Sequence, residues 1–146
     1  MTPEDVPAGP LLIDTDVATW LLTGVRQAER WRPLLRGHLL TLSFVNVGEL
    51  LALPAAQKWG TTRTVEWREV IRRNFIVLPF DANITTQWAP LHVRYRGHLH
   101  RGGTNDLWVA ASALSAQPPL PLATNNLNDF TKIAADYPLH LIHPDL

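Results

Sequence analysis

Short apolar runs alternate along this chain with longer amphipathic segments. Leu11-Leu12-Ile13, Leu39 to Leu42, Phe75 to Leu78, Leu120 to Ala123 and Leu139 to Ile142 read as buried strands, each close to turn residues or charge. Between them the spacing predicts helices over about 17–36, with a break near Gly24, and over about 46–58, 62–73, 83–96 and 105–116, with a last short one after Asp129. Strands separated by helices imply βαβ units, hence a parallel sheet with helices on both faces. The expected architecture is one three-layer α/β domain spanning residues 1–146.

Punctuation residues agree with these boundaries. Asn83 is placed to cap the helix that follows it, Thr104 or Asn105 the one containing Asp106, and Asp16 the one beginning near Val17. Pro118 and Pro119 forbid continuation past the fifth helical segment. Trp67, Val70 and Ile71 form an apolar stripe on a segment whose Arg63, Arg68, Arg72 and Arg73 take other positions.

Composition narrows the chemistry. The chain has 146 residues and is 46% hydrophobic, enough for one buried core, and it contains no cysteine. Disulfides, thiolate zinc sites and cysteine nucleophiles are excluded, so any metal must use Asp, Glu, His or backbone oxygen. The first ten residues carry Glu4 and Asp5 but no basic side chain, which disfavours a secretion signal. No uncharged apolar run reaches the roughly 18 residues of a membrane helix, so a soluble cytoplasmic protein is expected.

The informative pattern is where the acids fall. In LLIDTDV, Asp14 follows a strand, and ligands of open parallel sheets bind beyond the carboxyl ends of strands. TLSFVNVGELL places Glu49 one turn into the helix after the second strand, and GTNDLWVAASAL places Asp106 in the first turn of a helix rich in small residues. LATNNLNDF sets Thr124, Asn126 and Asp129 beyond the fourth strand. Each acid alone has a structural reading: Asp106 as a partner of the helix dipole, Asp129 as an N-cap, Glu49 as a solvated helix residue. Asp14 is left without a capping role, and the joint placement at one sheet edge is what points to chemistry. Converging carboxylates raise one another's pKa, and a hard divalent cation, Mg²⁺ or Mn²⁺, relieves the repulsion. Such an ion keeps waters and bridges to phosphate, which suggests phosphodiester hydrolysis.

The set LLIDTDV, SFVNVGELL, NDLWVAASAL and ATNNLNDF resembles the PIN-domain ribonucleases, in particular the toxins of bacterial VapBC-type toxin-antitoxin pairs. The resemblance runs from Leu11 to Pro144. It implies a three-layer α/β/α sandwich around a mainly parallel sheet and a Mg²⁺- or Mn²⁺-dependent endoribonuclease. It further implies a likeness to homodimers neutralised by a small antitoxin whose C-terminal segment enters the acidic site. Carried over, Asp14, Glu49 and Asp106 are the metal-binding acids, Asp129 joins them as a catalytic acid or orients water, and Thr124 and Asn126 complete the last motif. Ser43 and Asn46 match the polar lead-in to the second helix. Two positions depart from the family pattern: Asn126 is an amide where fuller clusters have an acid, and Asp16 stands where Ser or Asn is usual.

A phosphate-bearing substrate needs counter-charge, and the zero net charge resolves into parts. Residues 26–101 hold twelve of the thirteen basic side chains against five acids, while the flanks hold one against eight. Arg94, Arg96 and Arg101, with Tyr95, His98 and His100 among them, lie just ahead of Asp106 and are candidates to line an RNA path. Arg26, Arg30, Arg68 and Arg72 read as solvated helix faces or ion-pair partners. Trp20, Trp67 and Trp108 suit core packing or a subunit contact, and apolar residues near 20–35 and 50–67 suit an antitoxin groove.

Two other readings stay open. LLIDTDV also resembles the Asp-x-Asp motif of haloacid-dehalogenase-like phosphatases, with Asp14 as nucleophile, although Ala18 departs from that motif and the only lysines are Lys58 and Lys132. A non-catalytic domain that binds RNA or a partner through the Arg-rich middle is the third.

Overall fold

The computed structural model describes residues 1–100 and 103–146, so Arg101 falls outside the described residues. A 3-10 turn over Pro3–Asp5 leads to β1 (Leu11–Ile13), α1 (Thr15–Thr23), α2 (Ala28–Leu35), β2 (Leu40–Leu42), α3 (Phe44–Ala56) and α4 (Thr61–Asn74). The chain continues through β3 (Ile76–Val77), α5 (Ala82–Tyr95), α6 (Thr104–Ser115), β4 (Leu122–Ala123), α7 (Leu127–Ala134) and β5 (Leu141–Ile142). All strand pairings are parallel, in the order β3-β2-β1-β4-β5, with Leu12 beside Thr41 on one side and Leu122 on the other.

Alternation along the strands divides the core into two layers, because successive side chains leave a strand on opposite faces. Leu12, Leu122 and Leu141 meet Leu91, Leu107, Phe130 and Ile133 of α5, α6 and α7. Leu11, Ile13, Leu42, Ala123 and Ile142 meet Val17, Trp31, Leu50 and Ile71 of α1 to α4. The fold is the expected three-layer α/β/α sandwich. Ala110, Ala111 and Ala113 are fully buried, which lets α6 press close to the sheet. Trp67 is buried with its indole N–H donating to the Leu50 carbonyl at 2.9 Å, and Trp108 stacks on Trp88 with centroids 4.6 Å apart. Among the described residues no helix is long and apolar enough to cross a membrane.

The elements fall where the periodicity predicts, but the caps do not. Three helices are capped by a polar residue that precedes the expected one. Asp14, not Asp16, caps α1, its carboxylate accepting the Thr15 N–H at 2.9 Å. Asp81, not Asn83, caps α5, and Asn126, not Asp129, caps α7. The last helix therefore begins before Asp129 rather than after it, and Asp129 lies buried in its first turn. Gly103, at φ 60°, precedes α6 in place of Thr104 or Asn105. Ser43 and Asn46 form a capping box at the start of α3, which begins at Phe44 rather than near 46.

Candidate active site

In the strand order, β1 and β4 are the neighbours where the chain switches from building one side of the sheet to building the other. That switch point is where open parallel sheets bind ligands. Asp14 leaves β1 there and Thr124 leaves β4. The Asp14 N–H donates to the Ala123 carbonyl at 2.9 Å, and the Thr124 hydroxyl donates to Asp14 Oδ2 at 2.7 Å. The other oxygen, Oδ1, accepts from the Thr15 N–H and from Asn46 Nδ2 at 3.2 Å. Asn46 is fully buried and is itself held by the Ser43 hydroxyl at 2.6 Å, so the α3 capping box also aims an amide at the strand-end acid.

Glu49 arrives from α3 and is clamped at both oxygens. The Thr15 hydroxyl donates to Oε1 at 2.8 Å and Asn105 Nδ2 to Oε2 at 3.4 Å. Asp106 stands in the first turn of α6, where Asn126 Nδ2 donates to its Oδ2 at 2.9 Å and to Asp129 Oδ2 at 3.1 Å. Glu49, Asn105, Asp106, Asn126 and Asp129 line a cavity of about 500 Å³ together with His100, Gly103 and Thr104.

Charge within this set is in conflict. Burial, then the neighbouring Asp14, Asp129 and Glu49 carboxylates, push Asp106 up to about 7 despite the Asn126 hydrogen bond. Asp14 is also raised, chiefly by burial and with Glu49 and Asp16 adding to it, against the opposing hydrogen bonds of Thr124 and Thr15. The expectation of tightly converging carboxylates is corrected in one respect. Among the described residues no three Asp, Glu or His side chains are drawn together closely enough to hold an ion between them. The neutral donors Thr15, Asn46, Asn105, Thr124 and Asn126 stand between the acids, the cheapest way to keep like charges apart in one pocket.

The remaining candidates divide. Asp16 is exposed on α1, acting on Asp14 through its charge, and joins neither the hydrogen-bond network nor the cavity lining. Arg94 pairs with Asp136 at 3.1 Å and lines a separate cavity with Tyr95, His98, Lys132 and Asp136, while Arg96 is exposed beyond α5. Neither Arg94 nor Arg96 lines the carboxylate cavity. Thr15 and Asn105 are the site residues that sequence reasoning missed. Each is the immediate neighbour of a strand-end or helix-start acid, which is the signal that marks them. The phosphatase reading loses its support, because both oxygens of Asp14 are engaged and Lys132 stands beside Asp129, 3.7 Å from its Oδ1.

The same residues meet known proteins. No curated protein matches the chain. Among solved structures it is similar to a chain of VapBC2 from Rickettsia felis bound to a DNA fragment from their promoter, at 18% identity and TM-score 0.71, covering 91% of this chain and 97% of that one. It is also similar to VapBC-1 from nontypeable Haemophilus influenzae, at 22% identity and TM-score 0.70, covering 95% and 100%. VapBC-5 from Mycobacterium tuberculosis, a member of the VapBC family of toxin-antitoxin systems, follows at 23% identity and TM-score 0.63, covering 94% and 99%. These likenesses show a shared fold. The model of the PIN domain matches residues 11–135, from the first residue of β1 to the end of α7, and so takes in every acid of the pocket: the chain belongs to the PIN domain family.

Proposed function

We propose that this PIN domain is the toxin of a toxin-antitoxin pair, a metal-dependent endoribonuclease that hydrolyses RNA phosphodiester bonds. The observation that carries the reading is the placement of Asp14, Glu49 and Asp106 from three different elements at the switch point of the sheet, with Asp106 pushed up to about 7 by its neighbours. The donor set fits a hard divalent ion, Mg²⁺ or Mn²⁺: every charged group is a carboxylate, no thiolate exists in the chain, and a cation would relieve the repulsion that raises Asp106. Asp14, Glu49 and Asp106, which stand farther apart here than the ligands of one ion, would hold it by closing on it. When bound, the ion supplies a water of lowered pKa and charge stabilisation at the scissile phosphate.

The chain's own residues do the rest. Thr124 and Asn46 fix the rotamer of Asp14, Thr15 and Asn105 fix Glu49, and Asn126 fixes Asp106, so the acids keep their aim while repelling one another. Asp129 spends its oxygens on the His100 N–H and on Asn126 and acts as a positioning residue. A small antitoxin is the partner in this reading, as the toxin-antitoxin assemblies among the similar structures suggest. A cavity of about 320 Å³ lined by Leu22, Trp59, Arg63, Trp67 and Val70 offers it a groove. The protein acts in the cytoplasm, as a homodimer.

The test is cleavage of total RNA by the purified chain in Mn²⁺, with Asp14→Asn and Asp106→Asn beside it. Cleavage that requires the ion and drops at least about a hundredfold in both variants, with unchanged circular dichroism, supports the reading. Undiminished cleavage in both would sink it.

A further inference from the structure

One side chain of the carboxylate cavity is explained neither by the acids nor by the helix caps. His100 is exposed and lines the cavity from the segment that leads into α6. Its backbone is pinned on both sides. The N–H donates to both oxygens of Asp129, at 3.1 and 3.2 Å, and the carbonyl accepts the Gly103 N–H at 3.0 Å. Asp129, 1% exposed, is committed to this task, with Asn126 Nδ2 at 3.1 Å and Lys132 Nζ at 3.7 Å as its other partners. Leu99 is buried beneath, and Gly103 packs so tightly over it that a Cβ would meet Leu99 Cβ at 2.4 Å. A buried carboxylate, a left-handed glycine and a buried leucine thus cooperate to fix the backbone from which the His100 side chain lines the pocket.

Hydrolysis of a phosphodiester expels a ribose oxygen, which leaves poorly unless it receives a proton as its bond to phosphorus breaks. The lining offers few acids for that task. Asn105 and Asn126 are amides, Thr104 is an alcohol, and Glu49 and Asp106 are the proposed ion ligands. Asp129 is occupied. Lys132 lines a separate cavity with Arg94, Tyr95, His98 and Asp136 and donates to the His98 carbonyl at 3.1 Å. Imidazole is the side chain suited to give a proton near neutral pH.

We infer that His100 is the general acid of the reaction, donating its ring proton to the leaving ribose oxygen; the inference rests on the nuclease reading above. In the step, a water oxygen bonds to phosphorus and the bond from phosphorus to the leaving oxygen breaks. The electron pair stays on that oxygen, which takes the imidazolium proton. The attacking water gives up one proton to solvent, and His100 recovers one from solvent, so the net change is addition of one water across the bond.

The test compares the wild type with His100→Gln and His100→Ala in Mn²⁺. Two substrates are used: an RNA oligonucleotide that is cleaved at one linkage, and the same oligonucleotide with sulfur replacing the leaving oxygen at that linkage. Sulfur departs without a proton. The expected result is a loss of kcat of about a hundredfold on the oxygen substrate and a loss at least tenfold smaller on the sulfur substrate. Equal losses on the two substrates, or unimpaired cleavage of the oxygen substrate, overturn the assignment while leaving the nuclease reading intact. A wild-type protein that cleaves no RNA overturns the nuclease reading and the assignment with it. Because His100 is exposed, the variants are expected to melt with the wild type, and melting curves establish that the comparison is between folded proteins.

Discussion

Asp106 carries the cost of the pocket in a form that can be weighed by pH. Its carboxyl is raised to about 7 in the folded chain from an ordinary 3.8, so between those values the folded state holds a proton that the unfolded state has released. The raised group therefore contributes stability that is fully present below pH 4 and is lost as the pH rises through about 7. Removing the charge should reverse the loss. In metal-free buffer, Asp106→Asn is expected to be more stable than the wild type at pH 8 by about 1–2 kcal/mol, once water screening of this half-buried group is allowed for. The gap should close by pH 4. Chemical denaturation of both proteins in a chelator at the two pH values checks this, and a gap of equal size at both would contradict it. Asn126 belongs to the same account. As an amide it donates to Asp106 and Asp129 at once, which a carboxylate in its place cannot do, so the departure from the fuller acidic pattern lowers the repulsion in the pocket.

At the scale of elements, the site is built from caps and turns rather than from strand or helix interiors. The Ser43–Asn46 capping box starts α3 and, through Asn46 Nδ2, orients Asp14 across 32 residues of chain. Gly103, whose N–H donates to the His100 carbonyl, precedes α6 and the Asp106 in its first turn. Gly103→Ala is expected to cost about 1–3 kcal/mol, from a positive φ in a residue with a side chain and from the clash with Leu99. RNA cleavage should fall with it even at temperatures where the variant is fully folded. A variant with wild-type melting and wild-type kcat would show that Gly103 does not place the site.

The strands and helices, and the placement of Asp14, Glu49 and Asp106 at one edge of the sheet, were legible because periodicity marks the ends of elements. The caps were not, since the choice between two nearby polar residues depends on the backbone angles at the strand exit. Asp14 leaves β1 still extended, and that makes it the cap. Thr15 and Asn105 were hidden for a different reason. Their contacts with Glu49 span 34 and 56 residues, and they exist only once three elements have packed.

Across the whole molecule, the neutral balance conceals a division between an Arg-rich middle and acidic flanks. Part of the Arg excess is spent internally: Arg30 pairs with Asp145, Arg72 with Glu69, Arg94 with Asp136, and Arg63 lies over the Trp59 ring at 3.7 Å. Arg26, Arg36, Arg68 and Arg96 are exposed and make no ion pair among the described residues. If three or four arginines meet RNA phosphates, the affinity of the Asp14→Asn protein for a single-stranded RNA should fall with salt, with a log-log slope of about −2 to −3. Fluorescence anisotropy across a salt series measures it. Binding that ignores salt would exclude the Arg-rich middle as the substrate path.

The hydrogen bond from the Asp14 N–H to the Ala123 carbonyl ties the central acid to the middle of the sheet. Opening a protein locally is cheap at loops and dear at central strands, so the amides of Ile13 and Asp14 should be among the last to exchange with heavy water. The entrance segment around His98 and His100, joined to the core through Leu99 and Asp129, should exchange long before them. Exchange in that order would mean that the acid beside the pocket is released only when the whole chain unfolds, while the rim opens locally.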